Sequence, residues 1–197
     1  VTPIMTEYLT EHPQVQIRAL LMDRIAAQLE EGIDVSVRIG QLPDSSLTAI
    51  RVGQVRRMVC ASPAYLAAHG TPMHPHELVQ RETVSVVITG RSVDWGFNID
   101  GRVQDVKVQS RLAMTSFTAS IHAAVDGWGL TQVPSYQIRS RLQSGALCPV
   151  LESFEVPPMP VYVVYAEGRR GSSKVRSFVD LCVTRLRADL DYAVTDQ

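Results

Sequence analysis

VRRMVCASPAYLAAHG, residues 55–70, reads as a strand that runs directly into a helix. An alternating apolar run meets Ser62-Pro63, an N-cap residue followed by the residue best suited to a first helical turn, and Gly70 closes the short helix. The joint contains no catalytic group. A strand-to-helix joint without reactive chemistry points to binding: in open α/β sheets ligands lie beyond the carboxyl ends of strands, where helix amino termini present free N–H groups.

The flanking segments repeat this alternation. Residues 2–13 form a helical pattern, with Thr2 as cap, Pro3 in the first turn and Ile4, Met5, Tyr8 and Leu9 at helical spacing. VQIRALL (15–21) alternates as a strand, RIAAQLEEG (24–32) reads as a short helix, and IDVSVRIG (33–40) alternates again, with Val35, Val37 and Ile39 on one face and Arg38 on the other. LPDSS (42–46) is a turn, and LTAIRVG (47–53) is a further strand before VRRMVCA (55–61), the strand of the opening stretch. Helices alternating with strands predict a mostly parallel α/β sheet.

The middle third differs in character. TVSVVIT (83–89) is an apolar strand, and Asp100-Gly101 between two alternating segments signals a hairpin. Phe117, Ile121, Ala124 and Val125 share a helical face that ends near Gly127. LTQVP (130–134) is a buried strand, SYQIRSRLQSG (135–145) a helix, PVYVVYA (160–166) the last strand, and 172–190 a long amphipathic helix. VPPMP (156–160) has the composition of a linker.

With 197 residues, 45% apolar and 20% charged, the chain has the composition of an ordinary globular protein. Nineteen basic and twenty acidic side chains give a formal net charge of −1, which argues against a nucleic-acid grip by charge. Arg56-Arg57 and Arg169-Arg170 read as solvated pairs. Cys60, Cys148 and Cys182 are few, odd in number and set in apolar runs, as in a reducing compartment. No apolar run reaches the twenty or so residues of a membrane span.

There is no P-loop, dinucleotide fingerprint, nucleophile elbow or H-E-x-x-H. GWG (127–129) is too little for a dinucleotide site, and GRRGSSK (168–174) lacks phosphate-loop spacing. His74 and His76 lack the further ligands a metal needs. An enzyme using Asp23 or His122 has no supporting constellation. The expectation is therefore no catalytic residue, no metal and no cofactor. The joints at Thr2-Pro3, Met22-Asp23, Ser62-Pro63 and Thr115-Ser116 each present a helix start, where an anion gains roughly 0.3–1 kcal/mol. Joined by Arg38 at a strand end, they suit a small carboxylate.

GIDVSVRIG (32–40), LPDSSL (42–47), CASPAYLAAHG (60–70), AAVDGWGLTQVPSY (123–136) and VYVVYAEGRRGSSKVRSFVDL (161–181) together resemble the effector-binding domain of LysR-type transcriptional regulators, in order and over nearly the whole chain. The resemblance implies two Rossmann-like α/β subdomains of periplasmic-binding-protein type joined by two crossover strands, with an inducer cleft. Subdomain I would be 1–61 plus 166–197, and subdomain II 62–165. Carried over by motif, the effector-contacting positions are Thr2, Arg38, Ile39, Ala61 and Ser62 (at the hinge joint), and Thr115, Ser116 and Phe117; Asp23 is added to them as the helix start at Met22-Asp23. Tyr8 and Leu9 fall on the helix that packs in antiparallel dimers. The resemblance further implies a cytoplasmic homodimer or tetramer without membrane contact. DNA would be reached only through a winged helix-turn-helix absent from this chain, as is the family's first subdomain strand. A solute-binding protein of transport is the rival on the same fold.

Overall fold

Apolar alternation becomes ladders, and helical spacing becomes packed helices, throughout the computed structural model, which describes residues 1–22, 32–43, 47–88, 91–92, 94–166 and 172–195. In chain order the elements are α1 (Thr2–Glu11), β1 (Val35–Ile39), β2 (Leu47–Val55), β3 (Arg57–Ala61), α2 (Pro63–His69), β4 (Thr83–Ile88), β5 (Arg91–Ser92), β6 (Trp95–Ile99) and β7 (Arg102–Val106). There follow β8 (Leu112–Met114), α3 (Phe117–Val125), β9 (Leu130–Pro134), α4 (Ser135–Gln143), β10 (Cys148–Val150), β11 (Met159–Ala166) and α5 (Ser173–Thr195). Short 3-10 turns lie at Pro75–Gln80 and Glu152–Phe154.

The chain divides into two compact units. One comprises the described residues within Val1–Leu21, Ala26–Val55 and Met159–Gln197; the other comprises those within Met22–Ile25 and Arg56–Pro158. Besides a passage at Leu21/Met22, the chain crosses at 55/56 and 158/159, whereas boundaries at 61/62 and 165/166 were expected. Strand pairing is the reason: β3 joins the second unit's sheet, and β11 joins the first unit's.

In the first unit the sheet order is β1-β11-β2, and both pairings are antiparallel. The expected mostly parallel sheet is not found here, because the returning strand β11 inserts between β1 and β2 and runs against both. Val35, Val37 and Ile39 turn one face of β1 to a core of Ile4, Val52, Val163, Val179, Cys182 and Leu186. Helix α5 lays its stripe on that core, and α1 packs beside it. Residues 15–21 carry the alternation of a strand but take no regular structure, with Leu20 and Leu21 exposed. A strand persists only where its amides and carbonyls find a ladder, and none of the described residues supplies one. The helix expected at 24–32 lies outside the described residues but for Gly32, as do Asp23 and part of the 42–46 turn.

The second unit holds a mixed sheet, β10-β3-β9-β4 with β8 on β4. Strand β4 runs parallel to β8 and β9, while β3 opposes both β9 and β10. Helices α3 and α4 cover one face through Met58, Cys60, Ile121, Ala124, Val133 and Ile138. Helix α2 and the β6–β7 hairpin cover the other through Val59, Tyr65, Trp95, Phe97, Ile99 and Leu130. All five residues of β9 are buried.

GWG has a structural use. Past the C-terminus of α3, the Gly127 amide donates to the Ala124 carbonyl at 3.1 Å and the Trp128 amide to Ala123 at 3.0 Å, the paired bonds of a Schellman ending. Two residues later a Cβ on Gly129 would stand 2.4 Å from the Glu82 carbonyl oxygen. That close approach lets the Leu130 amide reach the same oxygen at 3.0 Å and start β9 beside β4.

Candidate functional site

In the first unit, Arg38 is the penultimate residue of β1, on the strand face opposite the core, with Tyr162 as its cross-strand neighbour. Ile39 instead packs with the core. Just beyond, the Gly40 amide donates to the Pro160 carbonyl at 2.9 Å. Val55 pairs with Met159 at this same end of the sheet. Arg38 and Ile39 thus sit where the chain leaves the first unit and returns to it.

Thr2 does not cap α1. Val1 is the N-cap, no side chain bonds the helix start, and Thr2 is itself the first helical residue, exposed, its carbonyl accepting from the Thr6 hydroxyl at 3.4 Å.

In the second unit the register decides which predicted residues meet. Met58 pairs with Val133 and Cys60 with Thr131, Val84 lies beside Thr131, and Val86 beside Met114. Thr115, one step past Met114, is therefore level with Arg57 and Pro134. Ala61 is level with the start of β9, at the opposite end of the sheet. Thr115, Ser116 and Phe117 lie at the end where the chain enters this unit. Ala61 and Ser62 do not lie at the joint: β3 carries them away from Arg56 at about 3.3 Å per residue, roughly 16 Å in all.

Ser62 acts locally, as a cap. It is 3% exposed, and its Oγ accepts from the Tyr65 amide at 3.3 Å at the start of α2. Ser116 is the N-cap of α3 but makes no side-chain cap bond, and only its carbonyl is engaged, by the Ser120 amide at 3.2 Å. Its hydroxyl is left to other uses. Thr115 is exposed, and Phe117 is half-buried against the α3–α4 core.

Tyr8 belongs to the protomer's own interior, which corrects its assignment to a dimer face. It is 3% exposed, its hydroxyl donates to the Lys174 carbonyl at 2.9 Å and lies 2.7 Å from Ser177 Oγ, and its ring meets Phe178 edge-on at 5.0 Å. A phenol committed to α5 is not presented to a second copy. Leu9 beside it is half-buried.

The groups read as candidate ligands also have local partners. His74 caps the 3-10 turn at Pro75–Gln80: its ring Nδ1 accepts from the His76 amide at 3.3 Å, and Glu77 accepts from the His74 amide at 3.0 Å. Among the described residues no group of three or more His, Cys, Asp or Glu is placed to hold a metal ion. Burial pushes the Cys60 thiol up to about 12 and that of Cys182 to about 11, so neither is a nucleophile near neutrality. His122 is exposed on α3.

Arg56 is not a solvated charge. Its Nε donates to Glu155 at 2.6 Å and its Nη2 to the other Glu155 oxygen at 2.8 Å and to Glu152 at 2.9 Å. The Glu155 hydrogen bonds hold its guanidinium above the ordinary arginine value. Its backbone is fixed as well, the amide donating to Ser135 Oγ at 3.2 Å and the carbonyl accepting the Ser135 amide at 2.9 Å. Burial lowers the neighbouring Arg57 below the arginine norm. No local signal marked Arg56, because its carboxylate partners lie almost a hundred residues away.

A depression of about 290 Å³ in the second unit is lined by Tyr65, His69, Glu77, Gln80, Arg81 and Glu82. It contains none of the predicted positions. Its charges are engaged by neighbours, Arg81 with Glu77 at 3.6 Å and Glu82 with Arg111 at 3.0 Å.

The family model of the LysR substrate-binding domain matches residues 1–187. An HTH-type transcriptional regulator of Xanthomonas campestris pv. campestris (strain 8004) is 31% identical over 196 residues, which is 98% of this chain and 57% of that protein. The uncharacterized HTH-type transcriptional regulator YhjC of Escherichia coli (strain K12) is 28% identical over 96% of this chain and 64% of its own length. Among solved structures, the full-length Vibrio cholerae virulence activator AphB superposes with a TM-score of 0.81 at 26% identity, over 94% of this chain and 63% of that one. CrgA of Neisseria meningitidis gives 0.82 at 24% identity over the same shares, a likeness of fold. The chain thus spans about three fifths of the length of these relatives. The two curated relatives are described as transcriptional regulators and AphB as a virulence activator, none of them as a transport protein. No described helix is long and apolar enough to cross a membrane.

Proposed function

Because the chain belongs to the LysR substrate-binding domain family, we propose that it is the sensing portion of a cytoplasmic, oligomeric helix-turn-helix regulator and that it binds a small anionic organic effector. The observation that supports this most is the position of Arg38. A guanidinium stands at the strand end next to the chain crossings of the first unit, on the face away from the core. In the second unit, Thr115 to Phe117 likewise stand at the end where the chain enters, with the Ser116 hydroxyl unused by its own helix.

A carboxylate met by a guanidinium, or by a helix start, gains charge-assisted hydrogen bonds. To move a two-state equilibrium from 1:99 to 99:1, the effector must favour one state by about 5.5 kcal/mol. The readout is DNA binding by the helix-turn-helix part of a full-length protein, as a dimer or tetramer; this chain carries out no reaction.

Native mass spectrometry of the freshly purified chain tests the proposal. A co-purified small acid is expected on the wild type, with occupancy falling by roughly tenfold in Arg38→Ala and in Ser116→Ala, as loss of a charged or helix-end hydrogen bond requires. Circular dichroism should be unchanged in both. Undiminished occupancy in both variants would remove these residues from the site.

A further inference from the structure

We propose that Arg56 and Glu155 pin the chain crossings at 55/56 and 158/159 together, so that these two move as one when the sensing domain changes state. The geometry is a small ring. In the first unit, Val55 and Met159 are cross-strand partners at the end of β2 and the start of β11. The next residue after Val55 is Arg56, whose fork holds both Glu155 oxygens, at 2.6 and 2.8 Å. From Glu155 only Val156, Pro157 and Pro158 lead back to Met159. The ring is thus closed on one side by a ladder pair and on the other by a bidentate ion pair.

Each part of the ring is stiff. Two consecutive prolines fix φ along the return path. Val55 is 3% exposed in the first unit's core. The Arg56 backbone exchanges hydrogen bonds with Ser135 at the start of α4, and Glu152 adds a third bond to the guanidinium at 2.9 Å. The Glu155 side chain is 13% exposed and that of Arg56 26%, so solvent and salt weaken this pair less than a surface one. Lysine, with one ammonium, cannot grip two carboxylates as a planar fork does. Only the purpose assigned to the pin, transmission of an effector-driven change through both crossings, rests on the proposed function; the mechanical coupling does not.

Hydrogen exchange on the whole 197-residue chain without effector tests the coupling, using Glu155→Gln, Arg56→Lys and, as a control, Glu7→Gln, which breaks the exposed α1–α5 ion pair with Arg185. The expected result is exchange faster by roughly tenfold in both crossing variants, at residues 56–58 and also across the crossings at 53–55, Met159 and Val161 in the first unit. The control should leave these amides unchanged. Acceleration confined to 56–58 and 152–155 would reduce the ion pair to local packing and overturn the proposal, as would equal acceleration throughout β9, which would mark general destabilisation. Because no effector is present, failure here leaves the sensing role to its own test.

Discussion

Gly129 shows how one missing side chain sets the start of a strand. Its Cβ position lies 2.4 Å from the carbonyl oxygen and 2.8 Å from the carbonyl carbon of Glu82, and both obstacles are backbone. Neither can rotate away, so Gly129→Ala must move β9 from β4 or break the Leu130 to Glu82 hydrogen bond. The cost is that of overpacking, about 1–3 kcal/mol, to be read as a lower urea midpoint at unchanged slope. Tyr8 makes the complementary case, in which a hydroxyl ties two helices. Tyr8→Phe leaves the Lys174 carbonyl without that donor and the ring packing intact, so about 1 kcal/mol of stability should be lost. Light scattering should show the same association state as the wild type, because the residue faces α5. A changed oligomer would restore the interface reading.

Among the elements, the β6–β7 hairpin is the one most fully written in the sequence. Asp100 and Gly101 both take positive φ, 53° and 75°, as the two central residues of a type I′ turn must. Gly101→Ala places a Cβ in the left-handed region, with a cost of roughly 1–2 kcal/mol. Since Trp95, Phe97, Ile99 and Val106 bury the hairpin in the second unit's core, the loss should appear as a lower melting temperature of that unit and faster exchange in 95–106. Such local signals made all five helices and β1–β4, β6, β7, β9 and β11 legible, but not the short strands β5, β8 and β10. Partnership was not legible. Residues 15–21 alternate as well as β1 does, yet only β1 finds a ladder among the described residues. The direction of β11 between β1 and β2 depends on a strand more than a hundred residues away. Candidate residues fared likewise. The strand-end position of Arg38 followed from alternation, whereas the placement of Ser62 at the far end of β3 needed the register with β9. The Arg56–Glu155 ring needed both crossings.

At the scale of the whole molecule, each unit carries one buried cysteine, Cys182 in the first and Cys60 in the second, and the two thiols give each unit its own alkaline signature. Burial raises Cys182 from the ordinary thiol value of 9.0 to about 11 and Cys60 from 9.0 to about 12. A folded state that holds its proton more tightly than the unfolded chain is stabilised fully below pH 9. That contribution declines as pH rises, up to about pH 11 for Cys182 and about 12 for Cys60. The limiting slope is about 1.4 kcal/mol per pH unit per thiol. Cys60→Ala and Cys182→Ala should each show a shallower fall of stability between pH 9 and 10.5 than the wild type, whatever their stability at pH 7. Urea titrations followed by hydrogen exchange separate the units: Cys60→Ala should flatten the decline for amides of β3, β9 and α3, and Cys182→Ala that for β1, β2 and α5. If both variants flattened both sets alike, the two cores would unfold as one cooperative body. Separate flattening instead means that each unit can loosen alone, and the crossings at 55/56 and 158/159 are then a covalent route by which a change in one can reach the other.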